Sequence, residues 1–116
     1  MEIILPWPPS VNTYWRTFQG RMIISAKGRE YREAVGVLAR DQEIDVGLTG
    51  KLIVVIEAYR PDKRRRDLDN ILKAPLDALC HAGVYKDDSQ IEDLRVFWGP
   101  NVGGMLKVKI GEMNEL

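Results

Sequence analysis

The stretch Lys63–Lys73 reads KRRRDLDNILK, a run of Lys63, Arg64, Arg65 and Arg66 that meets Asp67 and Asp69. Two carboxylates one residue apart offer hard oxygen ligands to a divalent cation. Mg²⁺ commonly takes one or two protein carboxylates together with phosphate oxygens and waters. A phosphodiester brought to such a cluster is repelled by the acids, so flanking cations must supply the attraction. Arginine suits this better than lysine, because its planar fork can grip two phosphate oxygens at once. A structural reading competes. Asp67 is a natural N-cap for a helix starting at Leu68, and an acid in the first turn suits the helix dipole. By motif alone the cap is the commoner use, but the adjoining cations shift the balance. Lys73 lies one turn after Asp69. It is either an i,i+4 partner worth a few tenths of a kcal/mol or a cation offsetting charge on a transferring phosphoryl group.

Asp87-Asp88 followed by Ser89 reads as a simple turn or as the source of a third metal ligand. Reach is the obstacle. A helix of about 15 residues is about 22 Å long, so acids after its end do not touch its start within one hairpin. Either residues 84–90 run back along the helix or another chain completes the site. Cys80 and His81 have no metal-ligand spacing with other His or Cys and are read as structural. Trp7, Tyr14 and Trp15 suit core packing or a dimer surface, with stacking on unpaired bases as the rarer use. No Walker loop, dinucleotide fingerprint or serine-hydrolase elbow occurs.

The elements that must position these residues follow from periodicity and breakers. Residues 2–5 (EIIL) form a short strand ended by Pro6, Pro8 and Pro9, and WPPSVNTYWR continues as a turn and a polar, aromatic loop. RMIIS (21–25) is a second short strand. Ser25 caps a helix whose Tyr31, Ala34, Val35 and Leu38 share a face. KLIVVIEAY (51–59) is a central strand expected to be buried on both faces. Leu68, Ile71, Leu72, Leu76 and Leu79 mark a helix over 68–82, closed by Gly83, with a kink expected at Pro75. On that helix Asp69, Asn70, Lys73, Asp77 and His81 lie opposite the leucines, toward solvent or a partner. Two strands follow, through Leu94, Val96 and Trp98 and through Leu106, Val108 and Ile110, with GPNVGG as a hairpin loop. The order β-β-α-β-α-β-β predicts one α+β domain over 1–116, a mixed sheet with two main helices packed on it.

Composition sets the outer bounds. The 116 residues, 45% hydrophobic and 29% charged, suit one ordinary globular domain. Lys plus Arg (17) balance Asp plus Glu (17), so a polyanion partner depends on a local basic patch rather than net charge. One cysteine excludes an intramolecular disulfide, no membrane-spanning run occurs, and MEIILPWPPS lacks a signal peptide's basic start. These features predict a cytoplasmic protein.

The chain resembles the RusA-type Holliday junction resolvases, small dimeric endodeoxyribonucleases of bacteria and their prophages. The likeness covers nearly the whole length: LPWPPSVNTYW, SAKGREYR, RRRDLDNILKAPLDAL and AGVYKDDSQI. It implies that Asp67, Asp69 and Asp88 are the metal-binding acids, with Asp88 preferred over Asp87, and that Lys73 is the catalytic lysine. It places Arg66 and Asn70 at the edge of the site near DNA, beside Arg64 and Arg65, which are expected to hold the backbone. It further implies a homodimer, Mg²⁺ as cofactor with Mn²⁺ as a substitute, and paired symmetric nicks in four-way junctions during DNA recombination and repair. A non-catalytic branched-DNA-binding protein is the alternative. A purely structural protein, with KRRRDLDN as loop and cap, is a third reading.

Overall fold

In the computed structural model, which describes residues 1–113, the apolar run after Lys51 forms β4 (Leu52–Tyr59). Leu52, Val54, Ile56 and Ala58 are fully buried, while Ile53, Val55, Glu57 and Tyr59 are half-covered. The expectation of a strand buried on both faces is therefore met on one face. The helices pack there, and the opposite face carries Lys107 and Lys109 beside Val55 and Phe97.

β4 is central to a mixed four-stranded sheet. On one side it pairs antiparallel with β6 (Met105–Glu112), which in turn pairs with β1 (Glu2–Pro6). On the other side it pairs parallel with β5 (Ile91–Trp98). The expected hairpin between the last two strands is not formed, because β4 lies between them. The loop GPNVGG instead crosses the end of β4, where Gly99 and Gly104 donate backbone bonds to Ala58 (2.8 Å) and Tyr59 (2.9 Å). A Cβ on Gly99 would stand 2.6 Å from the Tyr59 ring, so the crossing needs glycine there.

The RMIIS strand has a partner in the segment expected to be loop. After a short α1 (Val11–Tyr14), β2 (Trp15–Phe18) and β3 (Arg21–Ile24) form a separate antiparallel ribbon. Its turn, Gln19-Gly20, has φ of 50° and 75°, the positive pair of a type I′ hairpin turn.

α2 (Ala26–Asp41) starts at Ser25, whose Oγ accepts from the Gly28 backbone N–H at 3.0 Å, as the cap reading expected. Its buried stripe is Tyr31, Val35 and Ala39, and Ala34 is exposed, so the helix is turned slightly from the expected face. The segment expected as one helix over 68–82 is divided into a 3₁₀ turn (Leu68–Ile71) and α3 (Lys73–His81). Pro75 thus falls in the first turn of α3, where its missing N–H has no helical partner to lose. Gly83, at φ 85°, closes α3 as expected.

The strand–helix–strand unit β4–α3–β5 is a parallel crossover, and α2 packs beside α3 over the same sheet face. Ile3, Leu5, Tyr31, Val35, Leu79, Leu106 and Val108 are among the residues buried between these layers. The described residues form one α+β domain; positions 114–116 of the expected 1–116 domain lie outside them. No helix among them is long and apolar enough to cross a membrane.

Candidate active site

The basic run leaves the end of β4 at Arg60 and is held in shape by an acid the sequence reading did not single out. Asp62 accepts the Arg64 backbone N–H at 2.9 Å and both terminal nitrogens of Arg66, at 2.7 and 3.1 Å. The Arg66 bonds, with that backbone bond, hold the Asp62 carboxyl down to about 2. Arg66 also lies 5.8 Å from the Trp7 ring centre, and Trp7 stacks on Trp98 at 6.2 Å. Arg60 covers Trp98 at 3.9 Å. Trp7 just after β1, Arg60 just after β4, Trp98 at the end of β5 and Arg66 of the loop thus form one stack that fixes the loop to the sheet. Arg66 is committed inside this stack. Arg64 reaches Asp62 only loosely, its Nε 3.8 Å from the carboxylate and its side chain 83% exposed, and it presents its charge outward with the exposed Arg65.

Asp67 occupies the N-cap position of the 3₁₀ turn in extended conformation (φ −92°, ψ 134°), yet its carboxylate makes no capping bond. The cap explanation therefore fails at this residue. Its carboxylate is exposed, as is that of Asp69 one residue inside the turn. Asp67 and Asn70 line a cleft of about 460 Å³ with Trp7, Ser10, Arg65 and Arg66. Lys73 opens α3, exposed, with its ammonium 5.7 Å from the Trp15 ring centre. No ion pair joins it to Asp69, so the i,i+4 explanation is not realised either.

The second acidic pair lies at the other end of the crossover. Asp88 precedes β5, whose first residue pairs with Leu52 at the start of β4. Cys80, at the end of α3, bonds the Lys86 carbonyl at 3.4 Å. Burial, and next the Asp88 charge, push its thiol up. Residues 84–90 thus stay at the far end of α3 rather than running back to its start. The pair is also divided by role. Asp87 accepts the Ser89 hydroxyl, and its backbone N–H donates to Gln90 Oε1 at 2.8 Å, whereas the Asp88 carboxylate is exposed and has no hydrogen-bond or ion-pair partner among the described residues. Gln90, unnoticed in the sequence, fastens this turn by donating to the Leu48 and Gly50 carbonyls at 2.9 and 2.8 Å. Among the described residues no group of three or more His, Cys, Asp or Glu is gathered to hold one ion.

One expected solvent-facing residue turns inward. Asp77 accepts from Tyr14 and from Arg32 Nε and Nη2, the latter two at 2.9 and 2.8 Å. Burial first, then the Asp77 bond, pushes the Tyr14 hydroxyl well above its ordinary value. This triad ties α1 to both helices just before β2, beneath Trp15 and Lys73. No local sequence signal marks it, since its members come from three elements.

Exposed carboxylates without structural partners, set beside outward-facing arginines, are the parts of an enzyme that acts on phosphodiesters. The donor set, all carboxylate oxygen, fits a hard divalent cation such as Mg²⁺. Comparison with known proteins agrees with that class. Residues 6–111 match the family model for endodeoxyribonuclease RusA. The chain is 46% identical over 116 residues to the crossover junction endodeoxyribonuclease rusA of Enterobacteria phage HK97, covering 99% of this chain and 97% of that protein. It is 46% identical over 113 residues to crossover junction endodeoxyribonuclease RusA of Escherichia coli K12, and 47% to that of Enterobacteria phage 82, each covering 97% of this chain and 94% of the relative. The chain belongs to the RusA endodeoxyribonuclease family and is an endonuclease.

Proposed function

We propose that this endonuclease resolves four-way DNA junctions in the cytoplasm by paired, symmetric, Mg²⁺-dependent nicks, acting as a homodimer. The observation that carries the reading is Asp67, which occupies a cap position without capping and leaves its carboxylate open, two positions before the exposed Asp69, in a cleft lined by Arg65 and Arg66. Asp67 and Asp69 would hold the metal, with Mn²⁺ able to substitute. A bound Mg²⁺ supplies Lewis acidity toward the phosphate and a water of lowered pKa.

The other residues do work that needs no ion. Arg64 and Arg65 draw the DNA backbone to the acids, and Asn70 contacts DNA at the cleft edge. Arg66 acts as a positioning residue through Asp62 and Trp7. Lys73 offsets the charge that grows on the phosphoryl oxygens. Asp88 is the remaining metal ligand. Its place at the opposite end of α3 supports a site completed by Asp88 of a second copy across a twofold axis. Such a dimer carries two equivalent sites, which suits two nicks in strands related by symmetry.

The test is binding and cleavage of one labelled four-way junction with and without Mg²⁺. Mg²⁺-dependent paired nicks are the expected result. Salt-sensitive binding without nicks in any divalent cation would leave a branched-DNA-binding protein instead.

A further inference from the structure

The β2–β3 ribbon has no part in the chemistry above, yet it rises directly beside it. Trp15, its first residue, packs edge-on against buried Tyr14 and lies under the Lys73 ammonium. From that base four residues per strand carry the tip about 13 Å outward. The register assigns the two faces. Trp15, Thr17, Met22 and Ile24 share the face that leans on the domain next to Lys73. Arg16, Phe18, Arg21 and Ile23 share the face turned away from it, and the Arg16 guanidinium sits 5.3 Å from the Phe18 ring. Phe18 is 46% and Met22 66% exposed, which puts an apolar side chain on each face near the tip.

The charge of the ribbon is one-sided. Residues 15–24 (WRTFQGRMII) hold two arginines and no acid, in a chain of zero net charge. Neither Arg16 nor Arg21 takes part in a salt bridge among the described residues. Two unpaired cations flanking an exposed aromatic ring suit a nucleic-acid strand, with the ring on a base and the cations on phosphates. A twofold contact between copies through the same face would instead set four guanidiniums against each other, which repels.

We propose that the β2–β3 ribbon is a branch-point wedge that makes the enzyme select branched over linear DNA. The inference rests on the junction-resolving reading. With the scissile strand at Lys73, the inner face of the ribbon borders the arm being cut. The outer face then meets the next arm: Phe18 stacks on a base left unpaired or partly unstacked at the crossover, and Arg16 and Arg21 hold that arm's phosphates. A linear duplex in the site reaches the inner face alone, so it gains nothing from Phe18 or the two arginines. Apolar residues that enter unstacked steps work in this way on other bent or open DNA.

The experiment uses the full chain in a metal that does not support cleavage, with an immobile four-way junction carrying 2-aminopurine at the branch point and a linear duplex of matched sequence. Phe18→Ala should lower junction affinity roughly tenfold, leave duplex affinity unchanged, and abolish the change in 2-aminopurine fluorescence on binding. Arg16→Ala with Arg21→Ala should flatten the salt dependence of junction binding by about one unit per arginine, with no change on duplex. Circular dichroism and melting of each variant control for folding, and the milder Phe18→Leu, which keeps bulk but not stacking, should lose the fluorescence change too. Equal losses on junction and duplex, or none on either, would overturn the proposal. So would a fall to monomer in Phe18→Ala by sedimentation, which would make the ribbon a contact between copies. Wild-type protein that cuts no junction in Mg²⁺ would sink the underlying function instead, a result distinct from any of these.

Discussion

Asp69→Asn and Asp88→Asn, mixed in one solution, test how the active site is assembled. Each change alone should abolish cleavage, since an amide ligates Mg²⁺ poorly. Each should keep or strengthen junction binding, because a negative charge near phosphate is removed. Both side chains are exposed, so neither change disturbs the core. Asp69 follows the end of β4, while Asp88 precedes the strand that pairs with its start. If a second copy supplies Asp88, a mixed dimer has one site with both changes and one site with neither. Random exchange makes about half of the dimers mixed, each with one intact site of two, so the mixture should nick at about a quarter of the wild-type rate per chain. The products should be single nicks rather than paired cuts, because the intact site has no working partner. The assay labels opposite strands of one junction in turn and compares each variant alone, the mixture, and a mixed dimer isolated through two tags. A mixed dimer as inactive as its parents would show that one chain gathers all three acids and would refute the shared-site reasoning.

Lys73→Ala should lose turnover while its melting temperature stays within about 2 °C, as its exposed ammonium makes only a cation–π contact worth about 0.5 kcal/mol; melting that falls in step with activity would return Lys73 to a structural role. Arg65→Ala should flatten the salt dependence of DNA affinity by about one unit, whereas Arg66→Ala and Asp62→Ala should share a different signature, weaker cleavage from a loosened loop. Asp62 is lowered from 3.8 to about 2 in the folded chain, so its stabilising contribution is present above the unfolded value and is lost as pH falls through about 2. Asp62→Asn should therefore show a shallower acid transition between about pH 4 and 2, followed by the fluorescence of Trp7 and Trp98. Asp77→Ala should destabilise the fold by about 2 kcal/mol, since it strips hydrogen bonds from Tyr14 and a half-buried Arg32, and urea unfolding measures it.

The sequence by itself determined which segments become strands and helices wherever the apolar pattern is long. β5, β6 and α2 stand where alternation or helical spacing put them, because a buried face must repeat with the period of its own backbone, and β4 stands where its continuous apolar run put it, though buried on one face only. It also carried the family, through DLDN, Lys73 and Asp88 in order. The Gln19-Gly20 hairpin did not show in the sequence, because Trp15–Phe18 is too short and too polar to stand out as a strand and Gln-Gly is a weaker turn signal than Asn-Gly. Pairing was not legible: nothing in GPNVGG says that β4 will stand between β5 and β6, for strand partners are chosen by the packing of the whole sheet. Nor could spacing reveal that Asp62 occupies Arg66, that Gln90 fastens the turn bearing Asp88, or that Asp77 turns from solvent to Arg32 and Tyr14. Asp62 and Arg66 lie four apart in a loop with no regular period to bring them together, and the other bonds join separate elements. Only the folded chain decides which charged groups are consumed in holding the site and which are left free to act.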